Sequence, residues 1–180
     1  MAILRVHTKP TASREPQETP NTATQDRDAE RQAHYVEIFR SHLTTADAVD
    51  ELVRAIISDK TAKHFVIFYL DEEHRVLAYT IMTVGPLRMA SISQRELFQR
   101  AIETGAAAIM LAHHHPQGTA TPTQEDRKLV RQWRKSGSIL EIPILDLVTV
   151  TEETTTCCLP RQHGWSHCRV HLETAGHQWL

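Results

Sequence analysis

Apolar positions along this chain recur with two different periods, and the switches between them divide the sequence into elements. Val49, Leu52, Val53, Ile56 and Ile57 stand at i, i+3, i+4, i+7 and i+8, which predicts a helix with one buried stripe, opened by Thr44-x-x-Asp47. The run from His64 to Leu70 is short and β-prone. A polar turn from Asp71 to His74 then leads into a second strand, Arg75 to about Val84, so a hairpin of central strands is expected. Ser93-x-x-Glu96 opens another helix, with Leu97, Phe98, Ala101 and Ile102 inward and Gly105 as its C-terminal cap. Ala106 to Ala112 reads as a buried strand that delivers His113 at its carboxyl end. A helix from Thr123 to about Lys135 should bury Leu129, Val130 and Trp133 and stop at Ser136-Gly137. Ile139 to Val150 then returns as a strand, with Pro143 at an edge or a bulge. Upstream, Ala29 to Leu43 reads as a short helix with Tyr35, Ile38 and Phe39 inward. Met1 to about Asp28, with Pro10, Pro16 and Pro20 among polar residues, reads as a disordered or loosely attached tail.

Composition narrows the class. The 180 residues suit a single domain, and 41% hydrophobic with 23% charged residues describes a globular chain. A formal net charge of -2 gives the whole chain no bias toward nucleic acid or anionic membrane, so any such binding needs a local patch. Arg127, Arg131, Arg134 and Lys135 form one on a helix face, which can track a phosphate backbone or an acidic partner, or can simply be solvated. Three cysteines, two of them adjacent at Cys157-Cys158, fit a reducing compartment. With no secretory or membrane-spanning run, a cytoplasmic protein without a membrane partner is expected. No pattern specifies an oligomeric state. After Thr151 the text becomes Thr-rich and then carries His163, His167, Cys168, His171 and His177. His163-x3-His167 has zinc-like spacing, yet no separated Cys-x2-Cys pair accompanies it, so a divergent tail is expected.

Candidate chemistry concentrates between Leu111 and Asp126. His113 and His115 are two residues apart, so on extended backbone both imidazoles project to one side, where one ion can take both nitrogens. Asp126 offers a carboxylate from the first turn of the next helix. Two His and one Asp leave a tetrahedral Zn2+ one open position, the mark of a catalytic rather than a structural site. The alternative is a polar loop of three histidines beside a helix cap, because Thr123-x-x-Asp126 resembles a capping box with Asp in place of Glu.

His113-x-His115-Pro116-x-Gly118 followed by Pro122-Thr123-x-x-Asp126 resembles the RadC branch of the JAB/MPN (JAMM) metalloproteins, whose motif reads His-Asn-His-Pro-Ser-Gly, then Pro-Ser-x-x-Asp. Spacing agrees throughout, with His114, Gln117 and Thr123 as substitutions. The likeness spans roughly Thr44 to Val150, so residues 44–150 form the expected domain, 1–43 an N-terminal tail with a short helix, and 151–180 the divergent tail. The resemblance implies an α/β (α+β) JAB/MPN-like, cytidine-deaminase-like fold, a central mixed sheet flanked by helices. It implies zinc held by His113, His115 and Asp126, a water made acidic by the metal, and Thr123 standing for the motif's oxyanion-stabilising Ser. It also implies a Glu at the start of a central strand as proton acceptor. The matching position here is Lys63, and a lysine beside a dication stays protonated unless strongly desolvated. Asp59, Glu72 and Glu73 are the nearby carboxylates, the two glutamates expected at the far end of the strand. Downstream, Asp146-Leu147 keeps the Asp of the family's Asp-His pair and loses the His. Two functions follow. One is a zinc-dependent metallopeptidase or isopeptidase acting on a protein or peptide substrate. The other is an inactive zinc-binding or protein/nucleic-acid interaction module, in a family linked by name to DNA repair.

Overall fold

The two apolar periods of the chain become two helical layers on either side of one sheet. The structure is a computed structural model and describes residues 4–8, 38–39, 41–84, 93–116, 121 and 123–158. Along the chain come β1 (Leu4–Thr8), α1 (Ala46–Ile56), β2 (Lys63–Leu70), β3 (Val76–Val84), α2 (Gln94–Glu103), β4 (Ala108–His115), α3 (Gln124–Ile139), β5 (Ile144–Thr151) and β6 (Thr155–Cys157). The six strands lie in the order β1-β3-β2-β4-β5-β6. Only β4 and β5 are parallel, because α3 carries the chain back between them; the other neighbours are antiparallel. This is the mixed sheet flanked by helices that the motif implied.

β2 and β4 sit at the centre and are covered on both faces, which is why their sequences are almost continuously apolar. On one face α1 buries Val49, Leu52 and Val53 against Val66 and Phe68 of β2 and Met110 and Ala112 of β4. Each such side chain contributes about 1.5–3 kcal/mol on leaving water. On the other face Leu97, Phe98 and Ala101 of α2 and Val130 and Trp133 of α3 close over Phe65, Ile67, Ile109, Leu111 and Leu147.

Several sequence expectations change. The α1 cap is Thr45, whose hydroxyl accepts from Ala48 N, rather than Thr44. Ser93 does cap α2, and Gly105 follows its end at φ 65°, the left-handed conformation expected there. Ile102 is not inward but 61% exposed. Helix α3 does not stop at Ser136-Gly137. It runs to Ile139, which is helical and 81% exposed instead of starting a strand, and β5 begins after Pro143. Gly137 is there for another reason: a Cβ at that position would lie 2.5 Å from the Ile142 carbonyl oxygen, where the returning chain crosses the helix. Leu4–Thr8 pairs with β3 rather than trailing loosely, and Thr155–Cys157 pairs with β5. Ile38 and Phe39 are buried as expected. Tyr35 and the residues from His163 onward lie outside the described residues.

Candidate functional site

Strand alternation splits the three histidines between the faces of the sheet. His113 and His115 share the face of Leu111 and Phe65, whereas His114 turns toward α1. His113 is paired across the strands with Phe65, their rings edge to face at 6.0 Å, and Phe65 in turn meets Trp133 of α3 at 6.3 Å. This aromatic file fixes the imidazole, which is 8% exposed. Nδ1 of His113 lies 3.2 Å from Nε2 of His115. Two nitrogens each about 2.05 Å from one tetrahedral zinc would be roughly 3.3 Å apart, so the pair is spaced as co-ligands require.

Both rings are held neutral, the form with a lone pair to give. Burial lowers the His113 pKa from 6.5 to about 4, helped by His115, Lys63 and His114 and opposed by Asp126. Burial also lowers that of His115, with Lys63 acting in the same direction and Asp126 against it. The Asp126 charge therefore reaches both imidazoles. Its carboxylate, however, serves the helix: Oδ2 accepts from Thr123 N at 3.0 Å, and the Thr123 hydroxyl accepts from Asp126 N at 3.1 Å. The capping box read from the sequence is thus complete. Among the described residues no three His, Cys, Asp or Glu side chains are gathered closely enough to hold a metal ion. Two of the three candidate ligands are together, and the third stands beside them, turned to its own cap.

Lys63 is exposed at the first position of β2. Its charge depresses both imidazoles, so the position aligned with the family's Glu does border the pair, as a cation. Among the described residues, none of the carboxylates that the sequence offered takes its place. Glu72 and Glu73 lie in the turn at the far end of β2, where Glu73 pairs with Arg75. Asp59 accepts from the Thr61 backbone and hydroxyl, which hold its carboxyl below the usual range, and it neighbours His64.

Three contacts had no signal in the sequence. His114 Nδ1 lies 3.2 Å from the Ala62 carbonyl oxygen, so the middle histidine ties β4 to the start of β2. Asp146, 2% exposed, accepts from Leu147 N and from Cys158 N, and so anchors the chain as it leaves β6. The Cys158 thiol is pushed up to about 11 by burial first and by Asp146 next, and Asp126 also acts on it. Cys158 therefore belongs to the surroundings of the first turn of α3, which its pairing with Cys157 in sequence does not suggest.

A mixed sheet between two helical layers, with an imidazole pair at the end of a central strand beside a helix N-terminus, defines a JAB-type domain. The model of the RadC-like JAB domain matches residues 43–165, and this chain belongs to that family. The UPF0758 protein VP0184 of Vibrio parahaemolyticus is 34% identical over 123 residues, which are 68% of this chain and 54% of the relative. A UPF0758 protein of Vibrio campbellii is likewise 34% identical, with the same 68% and 54% coverage. The UPF0758 protein VCM66_0205 of Vibrio cholerae is 33% identical, again over 68% of this chain and 54% of the relative. The chain thus spans about half the length of these relatives. No helix among the described residues is long and apolar enough to cross a membrane.

Proposed function

We propose that this RadC-type domain binds one zinc ion through His113, His115 and Asp126, and hydrolyses peptide-like amide bonds at a rate limited by Lys63. The 3.2 Å separation of the two imidazole nitrogens, both kept neutral by burial, carries the reading. The donor set fits zinc in kind, and Asp126 completes it by turning from its cap toward the rings. Bound zinc would supply Lewis acidity, polarising an amide carbonyl and acidifying water. The protein's own groups orient that chemistry. Phe65 and Trp133 hold the His113 ring in place. Thr123 keeps a hydroxyl proton to donate to a developing oxyanion while its oxygen accepts from Asp126 N, and its methyl narrows the approach relative to Ser. Lys63, at the position of the proton acceptor, repels a dication and accepts a proton poorly. That same lysine favours a second reading, a zinc-binding module without turnover. Three cysteines, an odd number, with Cys157 and Cys158 adjacent, fit a reducing compartment better than a disulfide framework, and we place the protein in the cytoplasm.

Metal analysis of the full chain tests the ligand set. About one zinc per chain is expected, lost in His113→Ala. Asp126→Asn should also lose it while melting close to wild type, because the amide oxygen can still accept from Thr123 N. Undiminished zinc in His113→Ala removes the reading.

A further inference from the structure

We propose that the groove between α3 and the beginning of β5 is a docking site for an extended, acidic peptide segment. The groove encloses about 430 Å³. One wall is the face of α3 that carries Arg131, Arg134, Lys135 and Ser138; the other is Pro143, Ile144 and Leu145. That helix face looks away from α2, which is tied to the opposite side through Gln94 and Ser136. Among the described residues no carboxylate lines the groove.

Three observations select the occupant. The first is spacing. Arg131 and Lys135 are one helical turn apart, a rise of about 6 Å. Alternate side chains of an extended peptide recur at about 6.6 Å, so acids at its positions i and i+2 meet these two cations in turn. The second is the strand edge. Ile109 N donates to the Pro143 carbonyl, so the next residue of β5, Ile144, turns its own N–H and C=O to the outer side. β6 pairs with Val148 to Val150, and Cys158 N reaches Leu147 O and the Asp146 carboxylate, so among the described residues no strand covers the outer side at Ile144 and Leu145. Leu145 packs its side chain with the α1 layer yet borders the groove, which places the groove along this edge rather than over the sheet face. An open edge beside a row of cations accepts an added strand whose side chains are acidic. The third is the lack of an aromatic platform among the described residues: the described lining contains no ring on which bases stack, and the chain's net charge of -2 does not draw in a long polyanion. A short acidic peptide is matched locally. The site lies at the opposite end of β5 from Thr151, which pairs with His115, and does not depend on zinc.

The test is fluorescence anisotropy on the full chain, with a labelled peptide in which Glu alternates with Val, its Lys-for-Glu counterpart, and an oligothymidylate of equal charge. The acidic peptide should bind at least about tenfold tighter than either control and weaken with added salt. Arg131→Glu combined with Lys135→Glu, both on exposed positions, should weaken it by about tenfold or more while the protein keeps its circular dichroism spectrum. N-methylation of alternate peptide amides, which needs no protein variant, should cause a comparable loss in one of its two registers. Tighter binding of the oligonucleotide overturns the proposal in favour of a nucleic-acid surface. Affinity unmoved by N-methylation in both registers, or by the charge reversals, removes the site.

Discussion

Phe65 of β2 stands directly across from His113 of β4, so Lys63, two residues earlier on the same strand, projects to the face that carries both site imidazoles. The electrostatics agree: the lysine depresses the titration of His113 and of His115. The lysine thus occupies the neighbourhood of the imidazole pair, and its charge opposes the uptake of a cation there.

Replacing Lys63 should therefore change the pair in a defined order. Lys63→Met removes the repulsion, so both imidazoles should titrate at higher pH in histidine-resolved NMR of the metal-free protein, and zinc should bind more tightly. Lys63→Glu should move both quantities further and raise peptidase activity above wild type. An active wild type that Lys63→Glu leaves unchanged would show that the proton acceptor lies elsewhere.

His113 should make the metal-free protein sensitive to mild acid. Its value falls from 6.5 in the unfolded chain to about 4 in the fold, so between those limits the unfolded state binds more protons. The stability it contributes is complete above pH 6.5 and is lost as pH falls toward 4, by at most roughly 1.4 kcal/mol per pH unit. Urea unfolding with chelator present should show this slope in wild type and a shallower one in His113→Gln. Equal slopes would mean that the ring is protonated as easily in the fold as outside it.

Gly137→Ala should destabilise the fold although alanine is the better helix former. The added methyl would lie 2.5 Å from the Ile142 carbonyl oxygen and 3.5 Å from a ring carbon of Phe98, so backbone must shift. A loss of about 1–3 kcal/mol is expected in chemical denaturation. A more stable Gly137→Ala would restore the view that this glycine serves only to end the helix.

Local pattern settled a good deal of this protein. The stripe through Val49, Leu52 and Val53 made α1; alternation put His113 and His115 on one side of an extended segment; Thr123-x-x-Asp126 made the capping box. Each is decided within a few residues by backbone period or by a hydrogen bond along the chain. Membership in the RadC family was likewise legible, because the spacing of the histidines, Pro122, Thr123 and Asp126 lies in one short stretch. What the sequence left open depended on neighbours distant in the chain or on the path of the returning backbone. Ile102 fits a buried stripe but is left 61% exposed, and Gly137 reads as a stop until the Ile142 carbonyl is brought against it. A side chain's direction follows from its own φ and ψ, whereas what it meets is set by strand order and helix crossing, and those assembled both the imidazole pair beside Lys63 and the basic groove against β5.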